Sequence, residues 1–382
     1  GVMKKSKVFK VYLIYFICML LFCLLRIGSS FGMLDFLHPD IADIVYTAII
    51  QIGIILVLPM SLYTLFLHNK TGFVDTFRDT QLNGKINFKV ILISFGLGLL
   101  AFFVNIAIST LFNGILSFFG YSQPVSVSTG YEPMFPNWAT FLIQLTTVAI
   151  LPAICEEFLH RGVLLNGLKE IGIKKAILIS SLMFGLLHFN INQFFYATIL
   201  GMLMALVSVV SKSIYPAMII HFTNNAISVY LSSAESYGWF GKNFYNYLNN
   251  FLQSNNAFLT FLACFAFLVL VVVLLIYLVS KLFRISTLNR VQKVIDSMYT
   301  ADDRATTNSP IVIEKSKMLQ EMLENNTTLN LNYEEMKSPI DVVLPKQKNI
   351  YKPTLEDNLF LISSCVLGGL VTLFTFIWGL LW

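Results

Sequence analysis

The stretch ICEEFLHRGVL, residues 154–164, sets two glutamates, a histidine and an arginine inside an otherwise apolar run. Such a run is long enough to cross a membrane as a helix. Ionisable side chains inside a spanning segment are costly, and they usually face a protein interior or a water-filled cavity. The stretch therefore predicts a polar site enclosed by membrane helices.

The composition of the whole chain agrees with this interpretation. Of its 382 residues, 56% are hydrophobic and only 12% are charged. A soluble domain of this size carries far more charge. The formal net charge of +5 is spread among short loops, so it indicates no nucleic-acid partner. The sequence predicts an all-α, polytopic transmembrane helix bundle.

Runs of apolar residues predict about nine spans. The first span follows KKSKVFK without a convincing cleavage site, which favours a retained span over a removed signal peptide. The predicted spans are residues 8–27, 41–67, 89–119, 139–167, 174–190, 192–211, 214–233, 257–283 and 358–381.

Lysine and arginine predict the orientation of the spans. They gather at the N-terminus and in the loops after predicted spans two, four, six and eight. The alternate loops are poor in them, since residues 28–40 and 120–138 carry none and residues 234–256 carry only Lys242. We therefore expect a multi-pass cell-membrane protein with its N-terminus in the cytoplasm and its C-terminus outside.

Five regions follow from the spans and loops. The stretch SFFGYSQPVSVSTGYEPMFPNW predicts an outer cap or interfacial segment, and RVQKVIDSM predicts a short helix within a cytoplasmic insertion. The insertion is long for a loop, so it is either a small accessory domain or a partly disordered arm. The predicted regions are N-terminal spans at 1–138, a core at 139–235, an outer loop and eighth span at 236–284, the cytoplasmic accessory region at 285–357 and a last span at 358–382.

Polar residues recur on three of the predicted core spans. Span four carries the glutamate pair, span five carries His188, and span seven carries His221 and Asn225. At about 1.5 Å per helical residue, these groups lie roughly 13–21 Å above the cytoplasmic ends of their helices. A common depth on three helices predicts one buried polar site. Asn224 is interpreted as a contact between helices.

The spacing of these residues along their helices suggests a different role for each of them. Glu157 and Arg161 are four residues apart with the acid first, so they are expected to pair as a scaffold. Glu156 points about 100° away from its neighbour and is left for chemistry as a general base.

Two further pairs share a helix face. His221 and Asn225 project to one spot, where two hydrogen-bond donors could form an oxyanion hole. Phe184 and His188 also lie four residues apart, so the phenyl ring can pack against the imidazole.

Three motifs carry a family resemblance. EEFLHR fits EExxxR, FGLLH fits FxxxH and HFTNN fits HxxxN. In this order on successive helices they resemble the CPBP family, which comprises type II CAAX prenyl proteases and Abi or bacteriocin-processing relatives. The resemblance covers residues 139–235 and marks that region as the catalytic core.

The resemblance implies an intramembrane endopeptidase with a cavity open to membrane and cytosol. It implies that Glu156 and His188 activate a water and that His221 and Asn225 stabilise the oxyanion. Glu157 and Arg161 would then support the site.

The chain departs from the family pattern in two places. Position 160 is often apolar or aromatic in relatives, but here it is His160, which could hydrogen-bond the Glu156 carboxylate or face a neighbouring helix; we favour the second. The insertion at 285–357 is not needed by a compact core and suggests binding of a protein partner.

Zinc is the only cofactor that the residues suggest. Glu156, His188 and His221 could ligate it, but the chain has no HExxH motif, and asparagine is a poor zinc ligand. The resemblance favours a mechanism without metal or other cofactor.

Two other functions compete with proteolysis. A transporter would also line its path with ionisable groups, but the spans show no inverted repeat. A non-proteolytic membrane scaffold could bind a partner such as a sensor kinase or an envelope enzyme. If the protein is a protease, the expected substrate is a membrane-associated peptide or protein, and the residue usage suggests a bacterial source.

Overall fold

The computed structural model describes residues 6–68, 72–84, 86–122, 133–252, 257–298 and 350–381. These residues form helices joined by turns, bends and irregular segments, and they include no strand. The fold is therefore all-α, as predicted. The helices are α1 Lys7–Ser30, α2 Pro39–Leu67, α3 Phe73–Asp79, α4 Phe88–Phe118, α5 Asn137–Leu165, α6 Ile173–Leu187, α7 Ile191–Ser211, α8 Tyr215–Tyr237, α9 Phe244–Leu252, α10 Ala257–Met298 and α11 Leu359–Leu380.

Seven of these helices are long and apolar enough to cross a membrane: α1, α2, α4, α5, α7, α10 and α11. The chain is a multi-pass membrane protein. The other two predicted spans coincide with α6 and α8, so each predicted span falls on a helix. With 15 residues, α6 is shorter than the roughly 20 that a hydrocarbon core requires. Both of these helices carry residues of the predicted site: His188 lies at the end of α6, and His221 and Asn225 lie on α8.

The residues RVQKVIDSM are helical, as predicted, but their helix is not a short one. These residues form the last part of α10, which runs without interruption from Ala257 to Met298. Most of the predicted insertion, residues 299–349, lies outside the described part of the chain. So do residues 123–132 of the predicted outer cap.

Two apolar clusters hold the bundle together. One joins α1, α2, α5 and α6 and includes Tyr15, Ile55 and Leu159, which are nearly or fully buried. The other joins α4, α7 and α8 and includes Leu97 and Val207. The polar site lies between the two clusters, because Ile50 of the first cluster and Phe184 and Leu200 of the second line its cavity.

A hydrogen-bonded carboxylate joins the start of α1 to the start of α11. Asp357 accepts hydrogen bonds from the hydroxyls of Ser6, Tyr351 and Thr354. Burial alone would raise the pKa of Asp357, but these hydrogen bonds outweigh it and lower the pKa to about 2. The backbone N–H of Tyr351 donates to the carbonyl of Glu170 at 2.8 Å. The two helices therefore begin on the same side of the bundle, as the predicted order of spans requires.

Candidate active site

One cavity brings together the residues predicted to carry the chemistry. It has a volume of about 570 Å³, and Glu156, His188, His221 and Asn225 all line it. They come from α5, the end of α6 and α8, which are separate in sequence and adjacent in space. Glu156, His188 and Asn225 are half-buried, and His221 is buried.

Beneath this cavity, Glu157 forms the predicted ion pair with Arg161. Its Oε1 lies 3.0 Å from a guanidinium nitrogen of Arg161, and both side chains are fully buried. The same oxygen lies 2.9 Å from Nδ1 of His221. Arg161 also donates to the carbonyl of Gly201 at 2.9 Å. Glu157 therefore fixes the imidazole of His221 as well as the guanidinium, which sequence spacing alone did not reveal.

Glu156 has a different environment from its neighbour. Its Oε1 accepts a hydrogen bond of 2.8 Å from the side-chain amide of Gln51, on α2. Its carboxylate faces the cavity, whereas that of Glu157 is sealed beneath it. The two glutamates therefore differ in access to a substrate.

His188 is oriented by two hydrogen bonds. Its Nδ1 lies 2.7 Å from the carbonyl oxygen of Phe184. A carbonyl only accepts, so Nδ1 carries the proton and Nε2 is the basic nitrogen. Arg26 donates to the backbone carbonyl of His188 at 2.9 Å. The next residue, Phe189, has a left-handed φ of 49°, a strained conformation for an aromatic residue, and it turns the chain into α7.

The Phe184 ring packs against most of the buried polar groups. It makes edge-on contacts with His188, His160 and His221, with centroid distances of 5.0, 4.9 and 5.7 Å. The Arg161 guanidinium carbon lies 4.6 Å from its centroid. The predicted contact of Phe184 with His188 is confirmed, and the ring also fixes the other imidazoles.

His160 faces a neighbouring helix and not the Glu156 carboxylate. Its Nδ1 lies 2.7 Å from the Glu156 backbone carbonyl, and its Nε2 lies 3.1 Å from the hydroxyl of Tyr15 on α1. Tyr15 in turn donates to the carbonyl of Met183 at 2.9 Å. His160 therefore links α1, α5 and α6.

Asn225 is held by its neighbours in one amide orientation. Its Nδ2 donates to the carbonyl of Val148 at 2.9 Å, and its Oδ1 accepts from the amide of Asn224 at 2.9 Å. One N–H of Asn225 remains for the cavity. Asn224 therefore does more than join helices, because it fixes the amide of Asn225.

Three π-helical stretches lie in or next to the walls of the cavity. They are Ile49–Val57 on α2, and Leu145–Ile150 and Phe158–Leu165 on α5. The first carries Gln51, the second carries the Val148 carbonyl, and the third carries Arg161. Single π-turns are frequent at functional sites because they re-aim side chains from a continuous helix.

The cavity extends toward the lysine-poor ends of the helices. Met204, Ile220 and His221 lie at its deep end, and Arg26 and Tyr46 line it near the ends of α1 and α2 that border residues 28–40. On the opposite side every residue of α5 from Glu157 to Leu165 is buried. The lining residues therefore run toward the face that the lysine-poor loops border.

The donors for a metal are poorly grouped. Across the described ranges, no three His, Cys, Asp or Glu side chains form a group that could hold a metal ion. The predicted ligands Glu156, His188 and His221 line one cavity, but two of their donor atoms are engaged with Gln51 and Glu157. No metal cluster is thus formed by the described residues, and the mechanism proposed for the site uses no metal.

Three residues of the site were missed from the sequence. Gln51 contacts Glu156, Arg26 contacts the backbone of His188, and Tyr15 contacts His160. Gln51 and Arg26 could have been recognised from the sequence, because each is a polar residue inside an apolar run. Tyrosine is common in spans, so Tyr15 had no such signal.

Comparison with known proteins supports the resemblance. Residues 138–227 match the family model described as Type II CAAX prenyl endopeptidase Rce1-like. This confirms the resemblance predicted from the three motifs, and the segment is similar to a family of membrane proteases. None of the curated proteins and none of the solved structures compared with the chain matches it.

Proposed function

We propose that the protein is an intramembrane endopeptidase that hydrolyses a peptide bond in a membrane-associated peptide or protein. The observation that carries this proposal is that Glu156, His188, His221 and Asn225 line one cavity. They do so in a segment similar to a protease family. A carboxylate and an imidazole can activate a water, and nearby donors can stabilise the oxyanion that follows.

Glu156 and His188 hold the attacking water. Gln51 occupies one oxygen of Glu156, which leaves the other to accept the water proton. Nε2 of His188 accepts the second hydrogen bond and orients the water. The water oxygen attacks the carbonyl carbon, and Glu156 then passes the proton to the leaving amide nitrogen as the C–N bond breaks.

His221 and Asn225 stabilise the negative oxygen of the tetrahedral intermediate. Asn225 offers the N–H that Val148 does not use. Nδ1–H of His221 donates to Glu157, so Nε2 can donate to the oxyanion only when the imidazole carries both protons. The role of His221 therefore depends on the buried carboxylate of Glu157.

The test compares peptide termini in membranes from cells that carry the wild-type chain or Glu156→Gln at equal expression. Glutamine keeps the shape of the side chain and can still contact Gln51, but it cannot accept the proton. We expect a discrete set of cleaved termini to disappear in the variant. If no terminus changes while the cellular phenotype of the protein survives, the protease proposal is wrong and the scaffold alternative gains support.

A further inference from the structure

A second cavity lies beside the proposed active site. It has a volume of about 920 Å³ and is lined by the lysine-poor ends of α2, α5 and α8 together with Pro133 and Phe135. We call it the outer vestibule. Both cavities have the size of ordinary ligand pockets, about 300–1,000 Å³.

The outer vestibule and the active-site cavity share four wall residues: Thr47, Thr147, Val148 and Ser228. The carbonyl of Val148 accepts the hydrogen bond from Asn225, so the junction lies directly beside a proposed oxyanion donor. The hydroxyl of Ser228 donates to the carbonyl of Asn224 at 3.1 Å. A substrate polypeptide that passed this junction would come into direct contact with the proposed active-site residues.

Exposure changes steadily along this path. Asp43, Asn137 and Ser232 at the vestibule are exposed, and Glu156 is half-buried. Glu157, one residue further along α5, has no exposed surface. The path therefore leads from the lysine-poor face to Glu156.

We infer that the substrate polypeptide reaches Glu156 from the lysine-poor face of the membrane, through the outer vestibule and past the Thr47–Ser228 junction. The positive-inside rule places this face outside the cytoplasm. The substrate class is then a membrane-associated peptide segment already exposed on the outer side. This inference rests on the proposed function for its substrate, but the route itself can be tested separately.

The test uses a membrane-impermeant maleimide on cells that carry single-cysteine additions to the full chain. Ser228→Cys and Thr47→Cys lie at the junction, and the first is a near-isosteric change. Ser236→Cys is an exposed outer control on α8 whose side chain lines neither cavity, and Asn83→Cys is exposed on the lysine-rich side. The unsubstituted chain corrects for its five native cysteines, of which Cys18, Cys23 and Cys155 are buried.

We expect the junction variants and Ser236→Cys to be labelled in intact cells, and Asn83→Cys only after permeabilisation. Labelling at the junction should remove most of the termini that depend on Glu156, because the adduct fills the path, whereas labelling at Ser236→Cys should not.

The route is overturned if the junction variants are labelled only after permeabilisation, if they are never labelled, or if labelling leaves the termini unchanged. Labelling of Asn83→Cys in intact cells would reverse the assigned face and would also overturn it. If Glu156→Gln alters no terminus, the protease proposal fails, and the labelling pattern then decides the route by itself.

Discussion

The two halves of α5 share one continuous helix but have different surroundings. From Asn137 to Glu156 the helix contributes residues to two cavities. From Glu157 to Leu165 every residue is buried. The boundary falls between two adjacent glutamates, so one carboxylate meets the cavity and the other meets Arg161. Neighbouring residues of the same type can thus serve reaction and scaffold separately, because a helix turns about 100° at each step.

The largest effect is expected on the cavity side, at His188. His188→Gln removes the basic Nε2 while keeping a polar side chain of similar length. The cleavage rate should fall about 10²- to 10⁴-fold, the usual contribution of a positioned acid or base. The rate is measured on a peptide identified from the lost termini, with unfolding in detergent as the control for folding. A rate near that of the wild type would mean that Glu156 works without this imidazole.

On the buried side, the expected effect is on stability. Arg161→Met leaves the Glu157 carboxylate without its cation, and breaking one partner of a buried pair costs about 3–5 kcal/mol. The matched control is Arg78→Met, which breaks the exposed pair with Asp75 and should cost about 0–1 kcal/mol. Denaturant-induced unfolding of both variants measures the difference. Equal costs would show that burial does not distinguish the two pairs.

The effect at Asn225 should be somewhat smaller and confined to the rate. Asn225→Ala removes one oxyanion donor and is expected to lower the rate about 10²- to 10³-fold without loss of folded protein. Asn225→Asp keeps the shape of the side chain but replaces the donor with an acceptor, so its cleavage rate should be no higher than that of Asn225→Ala. Recovery of the rate in Asn225→Asp would show that shape matters and hydrogen-bond donation does not.

The smallest effect is expected far from α5, at Asp357. Its folded pKa of about 2 lies below the ordinary value of 3.8. Its hydrogen bonds therefore stabilise the fold fully above pH 3.8, and this stability is lost as the pH falls toward 2. Asp357→Asn should weaken this pH dependence of unfolding without altering cleavage near neutral pH. An unchanged pH dependence would show that Asp357 does not contribute to it.

Much of the site was predictable because helical spacing is local. The pair of Glu157 with Arg161 and the packing of Phe184 on His188 follow from four-residue separations. The apolar runs likewise predicted the helices. They predicted even α6 and α8, which are shorter or less hydrophobic than ordinary membrane-spanning helices.

The remaining features depend on packing between distant parts of the chain. Gln51 lies 105 residues from Glu156, and no local pattern indicates that they meet. The π-helical stretches have no sequence signature that separates them from α-helix, and they change which side chains face the cavity. The side on which the cavity opens depends on how the helices pack against one another. The sequence could indicate this side only through the family resemblance.

The most direct measurement places the two glutamates side by side. Glu156→Gln and Glu157→Gln are purified, and each is assayed for cleavage of one identified peptide and for its free energy of unfolding. We predict that Glu156→Gln unfolds like the wild type but loses cleavage. Glu157→Gln should lose about 3–5 kcal/mol of stability because Arg161 becomes an unpaired buried charge, and its cleavage should slow only through the loss of the contact with His221. Cleavage at the wild-type rate by Glu156→Gln, or the same pair of changes in both variants, would contradict the separation of roles along α5.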